Sequence, residues 1–204
     1  MIQACPLNIV FDLGGVVVRW EPDAIIAAVF DDPADRLKVR RQFVGHEDWL
    51  ALDRGTLAPD RAVLRASQRT GLPRLALERF LARVPSELVA IPATVDLMHR
   101  LKTKNHKLFC LSNMQFASIE HLERVYSFWH LFDGIVVSCR INAIKPEAAI
   151  YAHLLDRYQL NPRETVLIDD VAANLAGAAH FNIRTIQFDN PAQCEQQLQR
   201  LGCL

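Results

Sequence analysis

The sequence has few of the features that mark membrane, secreted or nucleic-acid-binding proteins. It contains no uninterrupted apolar run long enough to cross a bilayer. Its 23 basic and 23 acidic residues cancel to a formal net charge of zero, which argues against binding of nucleic acid or membrane surfaces through bulk charge. The first residues lack the basic start and apolar stretch of a signal peptide, so we expect a cytoplasmic protein.

The sequence also lacks paired cysteines. Its five cysteines are scattered and include no Cys-x-x-Cys pair, so we expect reduced, mostly structural thiols rather than a disulfide framework. The seven histidines show no metal-ligand spacing. The cysteines are Cys5, Cys110, Cys139, Cys194 and Cys203.

Hydrophobic residues are plentiful and make up half of the chain. Short apolar runs typical of buried strands alternate with apolar residues at helical spacing, for example Ile150, Leu154 and Tyr158. This alternation predicts an α/β fold with a parallel sheet. The five predicted strands are residues 8–11, 107–111, 134–138, 165–168 and 183–188.

One long stretch, residues 18–92, breaks this alternation because it contains no convincing strand. Its apolar spacing favours helices instead, and Gly71-Leu72-Pro73 is a plausible helix stop. We therefore expect a core domain made of residues 1–17 and 93–204, with residues 18–92 inserted as a small helical domain. The helical stretches are expected near residues 22–30, 36–50, 59–70 and 77–84.

Polar side chains follow the predicted strands where each strand ends. In an open parallel sheet, that edge is where ligands bind. A carboxylate, a hydroxyl, a lysine and an acidic pair at one edge suit a phosphate site, since a phosphoryl group needs cationic partners and an attacking oxygen held in line. The residues concerned are Asp12, Ser112 with Asn113, Lys145, and the pair Asp169-Asp170.

Each of these side chains has a clear chemical use at such a site. Asp169 and Asp170 can hold Mg²⁺, a hard ion that prefers oxygen ligands. Lys145 can neutralise both the carboxylate and the phosphate, and Ser112 can bind phosphate oxygens.

Four short motifs in order give the chain a family resemblance. They are "FDLGGVVV" at Asp12, "LSN" at Ser112, "KP" at Lys145 and "DDVAAN" at Asp169. With these motifs the chain resembles the haloacid dehalogenase-like hydrolase superfamily, and most closely a branch of small phosphatases that includes glucose-1-phosphate phosphatase-like proteins. The resemblance implies a Rossmann-like three-layer sheet, a helical cap over residues 18–92 and Mg²⁺-dependent hydrolysis through an aspartyl-phosphate.

The resemblance also implies a role for each residue. Asp12 would be the nucleophile and a metal ligand, and Lys145 would stabilise the charge on it. Gly14 would offer the metal its backbone carbonyl. Asp170 would be the main side-chain metal ligand, with Asp169 in or beside the ligand set.

Three further residues complete the set that the resemblance implies. Ser112 and Asn113 would bind the phosphoryl oxygens, together with Lys145. Asn174 would support the metal site or Lys145. Trp20, just after the first motif, is expected either to pack in the core or to line the substrate entrance.

The chain departs from the family at Gly14, where most of the family's phosphatases carry a second aspartate as general acid and base. A positioned acid–base group is worth about 10²–10⁴-fold in rate, so its loss should slow the enzyme rather than silence it. The loss matters least when the leaving group departs easily, as from a sugar 1-phosphate. The inserted helices could instead supply the proton, and His46, Glu47 and Asp48 are candidates by their chemistry.

The first motif contains two adjacent glycines, which allow backbone conformations that other residues rarely adopt. We expect Gly14 and Gly15 to let the backbone turn tightly beside metal and phosphate, where a side chain would intrude.

The leading functional prediction is a phosphatase of small phosphorylated metabolites, with sugar phosphates as the expected class. Two alternatives stay open: a metal-independent haloacid dehalogenase-type hydrolase, and a phosphate-binding regulatory protein with little turnover. The acidic pair Asp169-Asp170 favours the phosphatase. The expected partner is a small phosphorylated substrate, and we expect no binding to nucleic acid or membrane. The oligomeric state is either a monomer or a homodimer.

Overall fold

The computed structural model describes residues 7–204, and Cys5 lies outside them. The centre of the fold is a sheet of five parallel strands in the order β3-β2-β1-β4-β5, which confirms the predicted α/β fold. Each strand lies where an apolar run predicts it. The strands are β1 (Asn8–Phe11), β2 (Lys107–Ser112), β3 (Gly134–Val137), β4 (Thr165–Asp169) and β5 (Arg184–Gln187).

Helices cover both faces of the sheet, so the core has three layers. Alternate residues of the buried strands face opposite sides: Phe11 packs in one hydrophobic cluster and Val10 in another. The helices that belong to this core are α6 (Pro92–Thr103), α7 (Phe116–Val125), α8 (Ser138–Ile141), α9 (Ala148–Tyr158), α10 (Ala172–Ala179) and α11 (Pro191–Arg200). Helices α6, α7 and α11 pack in the first cluster, and α9 and α10 pack in the second.

The segment between β1 and β2 begins with five helices and has a hydrophobic cluster of its own. Four of its buried members are aromatic, and the Trp49 ring packs within 6.1 Å, centroid to centroid, of both Phe43 and Phe80. Trp20 contacts this cluster and the cluster on the sheet, so it joins the two. The five helices are α1 (Pro22–Ala27), α2 (Pro33–Val39), α3 (Glu47–Asp53), α4 (Pro59–Thr70) and α5 (Arg74–Glu87).

The stretch expected as one helix near 36–50 is broken in the structure. A π-helical turn, Arg40–Val44, follows α2, and the chain leaves it at Gly45. His46 then starts α3, because its Nδ1 accepts a hydrogen bond from the backbone N–H of Asp48. The break separates α3 from the preceding helix and lets it take its own direction.

The strand order places the ends of β1 and β4 side by side. The chain adds β2 and β3 on one side of β1, and then returns to add β4 and β5 on the other side. Such a reversal leaves a crevice at the carboxyl ends of the two strands where it occurs, and ligands bind there in open α/β sheets. Asp12 and the pair Asp169-Asp170 lie at these two strand ends.

Within residues 7–204, no helix combines the length and the apolar character needed to span a bilayer. The four cysteines in this part of the chain are all free and buried.

Candidate active site

Asp12 follows β1 directly and is held from both sides. Its backbone N–H donates to the carbonyl of Ile168 in β4, so the ladder between the two strands extends to this residue. Its Oδ1 accepts a hydrogen bond from the backbone N–H of Leu13 at 2.7 Å, and its Oδ2 lies 2.9 Å from Nζ of Lys145. The Asp12 side chain is 10 % exposed, and the residue lines the adjoining cavity.

Lys145 joins Asp12 to the end of β4. Its Nζ lies 2.5 Å from Oδ2 of Asp169, and the side chain is almost fully buried between the two carboxylates. Asn174 donates from its side-chain nitrogen to both oxygens of Asp169 at 3.1 Å. The backbone N–H of Val171 also donates to Asp169. Asp169 is therefore fixed in place by Lys145, Asn174 and the first turn before α10.

Three carboxylates converge at this point. Asp12, Asp169 and Asp170 each offer one oxygen, and these oxygens lie within 4.8 Å of one another. Three acidic groups lie beside one ammonium group, that of Lys145, so the cluster carries a net negative charge when its carboxyls are ionised. Hard oxygen donors with excess negative charge suit Mg²⁺, so the residues present fit the ion that the resemblance implies.

The electrostatics of the ion pair follow from burial and neighbouring charge. Burial raises the pKa of the Asp12 carboxyl, the Lys145 ammonium opposes that change, and the charge of Asp169 adds to it. Burial disfavours the Lys145 ammonium, yet the two carboxylates beside it outweigh burial and raise its pKa. Burial, followed by the charge of Asp169, raises the pKa of Asp170. The charge of Asp169 thus makes Asp12 and Asp170 harder to ionise, which a bound cation would relieve.

Two residues at the end of β2 behave differently from each other. The hydroxyl of Ser112 is fully buried and has no hydrogen-bond partner among the described residues, which suits a phosphoryl oxygen as its missing acceptor. The side chain of Asn113 is already engaged, because it donates to the backbone carbonyl of Lys145 and accepts from its N–H. Asn113 therefore fixes the Lys145 main chain, although it also lines the cavity.

The expectation that both glycines are needed for space holds at Gly15 and is wrong at Gly14. Gly15 has φ +78°, and a Cβ there would lie 2.4 Å from Oδ2 of Asp170. A Cβ at Gly14 would meet Trp20 at 3.8 Å, an ordinary van der Waals distance, and its backbone does not need a glycine. Position 14 thus has room for a side chain that the chain does not carry.

A cavity of about 280 Å³ opens over Asp12. Its floor comes from the sheet edge, with Gly14, Asn113, Asp170 and Asn174. Its wall comes from the inserted helices and the start of α7. The wall residues are Trp20, Arg40, Val44, Trp49, Asp53, Val84, Leu88, Met114, Gln115 and Ser118, and Val171 completes the lining.

The acidic and basic candidates expected from the inserted helices do not line the cavity. His46 caps α3, and Glu47 is exposed. Asp48 is buried and pairs with Arg65 and Arg69 at 3.0 Å each. Burial would raise the pKa of Asp48, but the two arginines outweigh it and lower that pKa, so the group is committed to its ion pairs.

Asp53, five to seven residues after these candidates, is the acidic side chain that α3 does bring to the cavity. Sequence reasoning missed it because no motif surrounds it. Its position at the end of a helix carries no signal of its own.

The sequence of this protein matches a known family of hydrolases. The model of the haloacid dehalogenase-like hydrolase family matches residues 59–188, more than half of the chain. The chain belongs to the haloacid dehalogenase-like hydrolase family. The predicted resemblance to this superfamily is confirmed, and so is the prediction of a hydrolase.

Relatives of this hydrolase include an enzyme of similar length. The chain is 25 % identical over 195 residues to "Sesquiterpene phosphatase astK" of Aspergillus oryzae, which covers 95 % of this chain and 96 % of that protein. The chain spans 19 % and 13 % of the length of the next two curated relatives, both much longer proteins from Mus musculus.

Solved structures of two kinds share the fold of this hydrolase. A HAD family enzyme of Bacteroides thetaiotaomicron, BT-2542 in complex with magnesium and inorganic phosphate, superposes with a TM-score of 0.69 at 20 % identity, over 91 % of this chain and 95 % of that one. L-2-haloacid dehalogenase of Xanthobacter autotrophicus superposes with a TM-score of 0.67 at 17 % identity, over 96 % and 83 %. At these identities, both likenesses show the fold and leave the reaction open.

Proposed function

We propose that this protein is a Mg²⁺-dependent phosphatase of small phosphorylated metabolites that works through an aspartyl-phosphate on Asp12. The observation that carries the proposal is the pairing of Asp12 with buried Lys145 beside two more carboxylates, Asp169 and Asp170. A carboxylate nucleophile beside a cation-binding cluster suits a substrate that brings its own negative charge.

In this proposal the residues of the chain divide the work by position. An oxygen of Asp12 attacks phosphorus, and Lys145 holds that carboxylate in place and offsets the charge that builds up. The free hydroxyl of Ser112 donates to a phosphoryl oxygen. Asn174 and Asn113 orient Asp169 and Lys145.

Asp12, Asp169, Asp170 and the Gly14 carbonyl would hold Mg²⁺. When bound, the ion would offset the charge of the phosphoryl group and so let it approach a cluster of carboxylates. The fold neighbour determined with magnesium and phosphate is consistent with this assignment.

The inserted segment, residues 18–92, is proposed as a cap domain that selects the leaving group. It supplies much of the cavity wall, including Trp20, Trp49 and Val84. A cavity of about 280 Å³ suits a small metabolite. Sugar phosphates stay the predicted class. The apolar wall makes phosphates with an apolar leaving group the first class to compare with them, and the sesquiterpene phosphatase relative points the same way.

The test is a panel of sugar phosphates, short alkyl phosphates, aryl phosphates and isoprenyl phosphates, assayed with Mg²⁺ and with EDTA. We expect metal-dependent release of phosphate from at least one class, and its loss in Asp12→Asn. If the purified protein hydrolyses no member of the panel with Mg²⁺, the proposal fails and the regulatory alternative gains.

The dehalogenase alternative is tested in the same series with 2-haloacids and no metal. Its substrates carry a carboxylate, and a second and third acidic group beside Asp12 would repel them. Halide release from these substrates in EDTA would favour the dehalogenase over the phosphatase.

A further inference from the structure

The cavity contains one acidic side chain that does not belong to the metal-binding cluster. Among the residues that line it, the carboxyl groups are those of Asp12, Asp170 and Asp53. Asp53 is the last residue of α3, so it reaches the cavity from the inserted segment, which is proposed above to select the leaving group.

The core holds the main chain of Asp53. The hydroxyl of Ser138, at the start of α8, donates a hydrogen bond to the Asp53 carbonyl. The same hydroxyl accepts the backbone N–H of Met114, two residues after Ser112. One side chain thus links the end of α3 to the loop after β2 that carries the proposed phosphate site.

The residues after Asp53 add further links to the core. The guanidinium of Arg54 makes a two-pronged ion pair with Glu147, with N–O distances of 2.6 and 2.5 Å. The side chain of Asn142 donates to the Arg54 carbonyl at 3.0 Å. Glu147 is two residues from Lys145, so the loop that carries the buried lysine also holds the end of α3.

Close backbone contact completes the docking. Gly55 has φ +76°, and a Cβ there would lie 2.6 Å from the carbonyl oxygen of Cys139 and 2.9 Å from the ring of Phe116. The end of α3 therefore sits on the core with no space for a side chain between them. Asp53 is held by the core that carries Asp12, although it belongs to the inserted segment.

The surroundings of Asp53 suit a group that exchanges a proton near neutral pH. Burial raises the pKa of the Asp53 carboxyl to about 7, the amide of Gln115 acts against this, and the charge of Asp12 adds to it. Catalytic acids and bases work best when their pKa lies near the working pH.

We propose that Asp53 is the general acid and base of this active site, in the role that Gly14 cannot fill. The proposal rests on the proposed phosphatase function and adds to it the residue that moves the proton.

When Asp12 attacks phosphorus, the bond from phosphorus to the leaving-group oxygen breaks, and the protonated Asp53 gives its proton to that oxygen. Asp53, now a carboxylate, takes a proton from water as the water oxygen attacks the phosphorus of the aspartyl-phosphate. The bond from phosphorus to Asp12 breaks, inorganic phosphate leaves, and Asp53 is again protonated.

The first test compares leaving groups in Asp53→Asn. An alkyl phosphate needs its oxygen protonated, whereas p-nitrophenyl phosphate has a leaving group stable as an anion. We expect Asp53→Asn to lose about 10²–10⁴-fold in turnover of the alkyl phosphate. With p-nitrophenyl phosphate we expect a burst of one p-nitrophenolate per active site at nearly the wild-type rate, followed by slow turnover as aspartyl-phosphate accumulates.

Glu47→Gln is the matched control, because it neutralises an exposed acid on the same helix that does not line the cavity. It should behave as the wild type with both substrates. Circular dichroism and a thermal melt establish that Asp53→Asn is folded. The amide has the shape of the carboxylic acid, so we expect no loss of stability.

A second variant tests whether position 14 can substitute. Gly14→Asp places a carboxyl where the structure has room, and the double variant Gly14→Asp with Asp53→Asn should recover part of the alkyl phosphate turnover.

The outcomes separate the two proposals. If the wild type hydrolyses phosphates, Asp12→Asn does not, and folded Asp53→Asn matches the wild type with both leaving groups, the Asp53 proposal is overturned and the phosphatase stands. If the wild type hydrolyses no phosphate with Mg²⁺, both proposals fall together.

Discussion

Gly14 and Gly15 are adjacent residues of the same type under different constraints. Gly15 is required by a positive φ and by the approach of Asp170, whereas Gly14 is required by neither. The missing second acid is therefore a chemical difference from most phosphatases of the family and has no steric cause. Since position 14 supplies no proton donor, either another residue protonates the leaving group or the substrate has a leaving group that needs no proton.

This contrast predicts different costs for the two alanine variants. Gly15→Ala should lose about 2–4 kcal/mol of stability, since it adds the strain of a positive φ to a clash with Asp170. Gly14→Ala should lose less than about 1 kcal/mol. Chemical denaturation of both variants beside the wild type measures the difference. Equal losses would mean that the two glycines are not distinguished by space and φ.

The raised pKa of the half-buried Asp53 predicts a pH-dependent stability difference. Its folded-state pKa of about 7 lies above the ordinary value of 3.8, so the folded state binds the proton more tightly and the wild type loses stability as pH rises between these values. Asp53→Asn does not titrate. Its stability relative to the wild type should be nearly unchanged near pH 4 and higher by up to about 4 kcal/mol at pH 8, at about 1.4 kcal/mol for each pH unit between the two pKa values.

Thermal melts of Asp53→Asn and wild type across pH 4–8 check this, with about 2–4 °C expected for each kcal/mol. A constant difference across this range would show that Asp53 titrates as an ordinary exposed carboxyl.

At the scale of elements, the end of α3 is one of the contacts between the inserted helices and the core, beside Trp20 and the packing of α5 on α7. The chain offers a matched pair to probe it. Gly55 and Gly71 both follow helices of the inserted segment with positive φ, of +76° and +73°. A Cβ at Gly55 would collide with Cys139, whereas a Cβ at Gly71 would meet nothing within 4 Å.

We expect Gly71→Ala to cost about 1–2 kcal/mol from backbone strain alone and to leave phosphatase turnover as it is. Gly55→Ala should cost a further 1–3 kcal/mol or so, because it pushes α3 away from the core, and it should also lower turnover of alkyl phosphates by moving Asp53. Denaturation and the leaving-group assay are run on both variants. Equal turnover of alkyl phosphates by Gly55→Ala and Gly71→Ala would contradict a role for Asp53 in the reaction.

Much of the core could be predicted because its signals are local. The first four strands are short, mostly apolar runs, and Asp12, Ser112 and Asp169 stand at the ends of three of them, so strand ends and candidate residues come together. The strand order is a different matter. It depends on the placement of β4 on the other side of β1 from β2, and no local sequence pattern near Thr165 indicates on which side β4 pairs.

Asp53 could not be predicted for a related reason. What brings it to the cavity is the docking of α3 on Ser138, on Glu147 through Arg54, and on Cys139 at Gly55. These partners lie more than 80 residues away in sequence and form no motif. The break at Gly45, which frees α3 from the preceding helix, also interrupts a stretch whose apolar spacing favours one helix.

At the scale of the whole molecule, the charge of the site is concentrated at one edge of an otherwise neutral protein. The formal net charge is zero, yet Asp12, Asp169 and Asp170 converge beside the one ammonium of Lys145. A cation bound there should stabilise the folded state, since the unfolded chain does not gather the three carboxylates.

We therefore expect the melting temperature to rise with Mg²⁺ concentration. At a concentration one hundred times the dissociation constant, Mg²⁺ should add about 2.7 kcal/mol to the free energy of unfolding. Asp170→Asn should remove most of this rise. Asp189→Asn, which changes an exposed acid outside the cluster, should keep it. The same rise in wild type and Asp170→Asn would place the metal elsewhere.

The central claim, that Asp12 is a nucleophile toward phosphorus, is tested most directly by trapping the intermediate. Wild-type protein is mixed with Mg²⁺ and the best substrate of the panel, quenched in acid within the first turnover, digested and mapped by mass spectrometry. The account predicts a phosphoryl group on the peptide that contains Asp12, absent from Asp12→Asn. Metal-dependent hydrolysis that leaves this peptide unmodified at every quench time, or that persists in Asp12→Asn, would contradict it.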